Sequence, residues 1–159
     1  MLTQACARIE TLDTIEAVWD ALLAVLGAQG LPIVMHISSD EARDDVRVLS
    51  NAPGIYGHRS PREDPFLDHC CHGYEISYAG VGFMDDHPYL DAADRDLIER
   101  AAKGGFVTGL GVPTRLEGSA RYGGFLMGSP LDRAMFIQKI VPQQDAIRLF
   151  CLMVHRRLE

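Results

Sequence analysis

The stretch DPFLDHCCHGYE, residues 64–75, sets His69, Cys70, Cys71 and His72 side by side behind an Asp-Pro pair. Three chemistries are open to it: a metal centre, a cysteine nucleophile, or a helix lining a pocket for a small molecule. Zinc needs three or four ligands converging on one point, and neighbours on a helix stand about 100° apart, so of this cluster only His69 and His72 share a face. Two ligands are too few. His36, His58, His87 and His155 occur singly and no C-x-x-C pair joins them, so neither a metal nor a cofactor is expected. A nucleophilic thiol needs a base and a third, orienting group, and no motif around Cys70 or Cys71 supplies them. On a helix starting at Pro65, Phe66, Cys70 and Gly73 fall on one strip and Leu67, Cys71 and Tyr74 on the next, which makes the cysteines small core hydrophobes. Asp64 reads first as a helix cap. A second role is compatible with that one: a carboxylate that accepts a hydrogen bond from a buried ligand.

The elements that would position these residues follow from periodicity and punctuation. Residues 13–27 read as a helix, with Asp13 as cap, Glu16 completing a capping box, and Ile15, Val18, Trp19, Leu22, Leu23 and Leu26 on one stripe. LPIVMHIS and VRVLS, 31–38 and 46–50, read as strands joined by a polar connection. The segment 51–63 is an irregular loop of the kind that often carries function. Asp64 and Pro65 start a short helix that Gly73 ends, and 74–83 reads as strand. Asp91 and Asp94 open a helix through Lys103, with Leu97, Ile98 and Ala101 inward and Gly104-Gly105 at its end. FVTGLGVP and RYGGFLMGS read as strands. The helix at about 142–157 puts Ile147, Phe150, Cys151, Val154 and Leu158 on one face. The glycines of GGFVTGLGVP form no nucleotide fingerprint, because no helix follows them directly; in a strand they mark a bulge or the close approach of a ligand or another backbone. Five strands joined mostly by hairpins, with a few helices, predict an antiparallel sheet with helices on both faces, an outline shared with PAS and GAF sensor domains.

Composition narrows the function classes. The 159 residues predict one domain, 1–159, and 47% hydrophobic with 23% charged residues is the make-up of a globular chain. A net charge of −7 argues against holding nucleic acid by phosphate neutralisation. The longest apolar stretches, 21–26 and 31–37, fall short of the roughly 20 residues that cross a bilayer, and the N-terminus MLTQACARIETLD has no secretory pattern. No membrane partner is expected. The expected location is the cytoplasm, with all four cysteines reduced.

NAPGIY, DPFLDHC, FMDDHPYL and ERAAKGGFVTGLGVPTRLEGSARYGGFLMGS together resemble the autoinducer-binding domain of LuxR-type quorum-sensing regulators, and the element order follows that family over nearly the whole chain. The resemblance implies an α/β/α sandwich (α/β, of the α+β kind) whose five-stranded antiparallel sheet encloses an N-acyl homoserine lactone or a related acylated signal. It implies that Asp64 accepts the ligand's amide N–H, and that Tyr56 stands where a tryptophan donates to the lactone carbonyl. Two polar anchors of the family fall on Ala52 and Leu126, and an aromatic that packs the lactone falls on Met84. The expected pocket is Tyr56, Asp64, Phe66, Cys70, Phe83, Met84, Phe106 and Leu126. The implied protein is not an enzyme but a homodimeric sensor, acting on DNA only through a C-terminal helix-turn-helix domain absent from this chain. Two rivals stand beside it. One is a ligand-independent antagonist that dimerises with a full-length regulator; the other is a hydrolase of acylated signals using Cys70.

Overall fold

The structure is a computed structural model that describes residues 2–54, 60–115 and 117–158. In chain order it has α1 (Leu2–Ile9), α2 (Ile15–Ala28), β1 (Ile33–Asp40), β2 (Val46–Ser50), α3 (Pro65–His72), β3 (Ser77–Ala79), a 3-10 helix (Val81–Asp86), α4 (Ala92–Lys103), β4 (Thr108–Pro113), β5 (Arg121–Ser129), α5 (Arg133–Lys139) and α6 (Gln144–Leu158). The strands form one antiparallel sheet in the order β2-β1-β5-β4-β3. Helices cover both faces, α1, α2, α5 and α6 on one and α3 and α4 on the other, which is the expected sandwich. None of the described helices is long and apolar enough to cross a membrane.

Local chemistry explains most element ends. Thr14, not Asp13, caps α2, its hydroxyl accepting from the Ala17 amide at 3.1 Å. Both residue types cap well; starting one residue later leaves Ile15 half exposed, while Val18, Leu22 and Leu26 are buried. Asp91 and Asp94 open α4 as expected, and they do so as a capping box: Asp91 accepts from the Asp94 amide at 2.8 Å and Asp94 from the Asp91 amide at 3.3 Å. Its other end closes through Gly104 and Gly105, the latter at φ +102°, with the Phe106 amide bonded back to the Ala101 carbonyl at 3.0 Å. That reversal throws Phe106 over the sheet.

The strand expected over 74–83 is shorter, because Gly80 breaks it. Gly80 has φ +88°, and a Cβ there would lie 2.4 Å from the Val107 carbonyl oxygen, so only glycine fits this close approach of two backbones. The chain leaves β3 at that point and turns into the 3-10 helix. Two further helices, α1 and α5, complete the layer opposite α3 and α4. Neither has the length to stand alone. The first is held from α6, where Arg157 donates to the carbonyls of Ile9, Glu10 and Leu12 and Arg156 pairs with Glu10. The second is capped by Asp132 and buries Phe136.

The layer of α1, α2, α5 and α6 packs on Val34, Leu110, Val112, Phe125 and Met127. Within it His36 and His155, far apart in sequence, meet at 3.0 Å between Nε2 and Nδ1, and the Thr114 hydroxyl lies 3.2 Å from the same His155 nitrogen. Burial first, then the neighbouring charge of His155 and Arg121, pushes His36 down to about 3.

Candidate ligand-binding site

Asp64 performs its capping role: in extended conformation, it accepts the Phe66 amide on Oδ1 at 2.7 Å, and Pro65 occupies the first position of α3. It is only 6% exposed. A carboxylate has up to four acceptor positions, and this one also stands in the wall of a cavity of about 210 Å³ between the sheet and α4.

The floor of that cavity depends on glycine. Register carries Ser77, Gly111, Leu126 and Met35 across four strands in one row. On either side along β5 lie Gly124 and Gly128. A Cβ on Gly128 or Gly109 would come within 2.2 or 2.4 Å of the Phe106 ring, and one on Gly111 or Gly124 within 2.7 or 3.0 Å of the Phe66 ring. The strand glycines therefore mark a close approach, of the Phe106 ring alone at Gly128, and of the Phe66 ring together with the Ser77 hydroxyl at Gly111 and the Val112 carbonyl at Gly124. Two rings rest against the sheet, Phe66 near Gly111 and Gly124 and Phe106 near Gly109 and Gly128, with Leu126 between. Leu97, Ile98 and Ala101 of α4 form the roof, joined by Asp94 at its first turn.

The polar rim is built of carboxylates and histidines. Nε2–H of His87 donates to the Tyr78 carbonyl at 2.7 Å, which leaves Nδ1 to accept from the Tyr89 hydroxyl at 3.2 Å. Nε2–H of His69 donates to the Glu75 carbonyl at 2.8 Å. Asp64, Asp94, His69 and His87 all line the cavity, and no lysine or arginine does so among the described residues. Such a wall accepts hydrogen bonds more readily than it gives them, and it disfavours an anionic guest.

Of the expected pocket residues, the structure brings Asp64, Phe66, Phe106 and Leu126 together around this cavity. It places three others elsewhere. Cys70 is fully buried behind Phe66, against Ile37 and Leu67, because the larger ring on the same helical strip takes the wall position. Burial first, then the charges of Asp64 and Cys71, pushes its thiol up, away from the thiolate a nucleophile needs. Phe83 packs across the sheet on Phe136, ring centroids 5.5 Å apart, because the turn at Gly80 carries it to that side. Met84 is half-buried in the 3-10 helix and outside the cavity wall. Tyr56 lies outside the described residues. Met35, His69, Ser77, His87 and Tyr89 line the cavity without having been expected; alternation on β1 is the only sequence signal that reaches one of them, Met35. Among the described residues no three metal-ligating side chains converge.

A second cavity, of about 230 Å³, adjoins the first. Ile33, Ala52, Pro53, Gly54, Arg100 and Gly104 line it, and Ala101 and Phe106 are walls of both. Its one charged residue among those described, Arg100, pairs with Asp96 at 2.9 Å.

No protein-family model matches the sequence, and no curated protein matches it. Solved structures do. The N-acylhomoserine-lactone-dependent LuxR-family transcription factor CepR2 of Burkholderia cenocepacia superposes with a TM-score of 0.72 at 16% identity, over 99% of this chain and 93% of that one. Escherichia coli SdiA gives 0.69 at 14% identity, and SdiA in complex with octanoyl-rac-glycerol gives 0.70 at 13%; this chain covers 67% and 65% of those two. At these identities the likeness is one of architecture: the chain has the fold of the autoinducer-binding domain of LuxR-family regulators.

Proposed function

We propose that this chain is the ligand-sensing domain of a LuxR-type transcriptional regulator, binding an N-acyl homoserine lactone or a related uncharged acylated molecule such as an acylglycerol. In this reading it does no catalysis. It works in the cytoplasm as a homodimer, and controls DNA through a helix-turn-helix domain outside these residues. The observation that supports it most is the buried carboxylate of Asp64 in the wall of an otherwise largely apolar cavity. Asp64 takes a donor on the ligand head, and the acyl chain lies over Leu126 and Met35 beneath α4.

Magnitudes say which part of the ligand dominates. An eight-carbon chain buried at about 0.8 kcal/mol per methylene contributes roughly 5 to 6 kcal/mol, against about 1.5 to 3 kcal/mol for one hydrogen bond to a charged group. Chain burial sets affinity, and the head sets discrimination. With Ala52 and Leu126 at two anchor positions, discrimination among uncharged heads is weak. The same two residues favour a second reading, a ligand-independent module that pairs with a full-length regulator.

Thermal unfolding with added ligand decides between them. At 100 times its dissociation constant a ligand adds about 2.7 kcal/mol, a rise of roughly 5 to 10 °C for a chain of this size. N-octanoyl homoserine lactone and 1-octanoylglycerol are expected to produce that rise, and octanoate, an anion facing Asp64 and Asp94, is not. Asp64→Asn, which keeps a capping side chain, is expected to abolish most of the shift. If neither uncharged compound moves the midpoint, the sensor reading fails and the interaction module stands.

A further inference from the structure

We infer that the second cavity is a tail chamber of the same ligand site, and that Phe106 sets the chain length the site admits. The inference rests on the sensor reading and adds to it a chamber and a specificity-determining residue. Three observations carry it. The two cavities are similar in size, about 210 and 230 Å³, and among the described residues they share Ala101 and Phe106 alone. Their ionisable groups differ among the described residues: carboxylates and histidines stand in the wall of the first, whereas Ile33, Ala52 and Pro53 line the second and Arg100 is its one charged residue. Phe106 is also seated so that it cannot sink into the sheet, since its ring rests on Gly109 and Gly128 and its amide is tied to the end of α4.

A head held at Asp64 therefore fills the first chamber with a short chain, and a longer chain must pass the Phe106 ring to stay out of water. Each methylene that does so gains about fourfold in affinity. The gain stops where the second chamber is filled. For a chain too short to reach the ring, Phe106 is merely a wall.

The test is a series of straight-chain N-acyl homoserine lactones of increasing length, titrated calorimetrically into the wild type, Phe106→Ala and Ala52→Phe, each first shown to be folded by circular dichroism. Phe106→Ala joins the chambers and is expected to raise the affinity ratio of a twelve-carbon over a six-carbon chain about tenfold or more, the effect of roughly two methylenes. Ala52→Phe fills the far chamber and is expected to lower the same ratio to a similar extent. Because the two variants move the ratio in opposite directions, failure of one to fold leaves the other decisive. A ratio unchanged in the folded variants overturns the tail chamber while leaving the sensor reading intact. A series in which no lactone binds the wild type overturns both.

Discussion

On one face of the sheet Val34, Leu110, Val112, Phe125 and Met127 meet Leu22, Leu26, Phe136 and Phe150, all of them fully buried. On the other face the same strands present Gly109, Gly111, Gly124 and Gly128, and above them lie two aromatic rings and two cavities. Strand alternation produces both faces, since successive residues of one strand point to opposite sides. What differs is side-chain volume. The first face is filled by large, fully buried side chains, and in a close-packed interior any lost atom leaves a hole; the second has its hole already. Packed side chains thus lie on one side and open space on the other, and neighbouring residues of a single strand face opposite ways.

Adjacent positions on β5 give the sharpest test of that division. Phe125→Ala opens a void in the filled layer and is expected to cost about 3 to 5 kcal/mol. Leu126→Ala, one residue on, enlarges a space that exists already and is expected to cost less than about 2 kcal/mol. Urea denaturation of both variants measures the gap. Equal losses would mean that the α3–α4 face is as tightly packed as its opposite.

A smaller effect tests the glycine floor. In Gly128→Ala the new methyl group would stand 2.2 Å from the Phe106 ring, an overpacking expected to cost about 1 to 3 kcal/mol. Phe106→Leu in the same chain is expected to return most of that loss, because the clash is with a side chain rather than with backbone. A double-mutant cycle with no coupling would show that Gly128 serves the strand and not the ring.

How much of this was legible in the sequence follows the range of the interactions. The helix starts at Asp64-Pro65 and at Asp91/Asp94 are chemistry within a few residues, and both form where read. The inward stripe of α4 likewise became the roof of the cavity. The short helices α1 and α5 were not legible, because their support is tertiary: arginines of α6 for the first, the burial of Phe136 for the second. The end of β3 depends on Val107 meeting Gly80, a contact that no local pattern encodes. Cys70 and Phe66 share a helical strip, and only packing decides which one forms the wall. The pairing of His36 with His155 joins two singly occurring histidines across 119 positions, beyond any spacing argument.

That histidine pair offers the mildest perturbation and the cleanest separation of the two faces. The His36 ring lies 4.7 Å from that of Phe125, tilted by 47°, and faces His155 of α6 and the Arg121 guanidinium, which is itself bonded to Ser38 and Asp45. Its pKa is near 3 in the folded chain and about 6.5 when unfolded. The neutral ring therefore contributes stability that is complete above about pH 6.5 and is lost as the pH falls, since the unfolded chain then binds the extra proton. The expected slope is about 1.4 kcal/mol per pH unit between roughly pH 6 and 5, above the range where ordinary carboxylates titrate. Urea denaturation across that range should show the slope in the wild type and a flatter profile in His36→Gln. Identical profiles would place the titration elsewhere. N-octanoyl homoserine lactone, if it binds on the opposite face, should leave the part of the slope that His36→Gln removes unchanged; a slope change on binding that is present in the wild type and absent in His36→Gln would mean that the filled and hollow sides of the sheet are coupled.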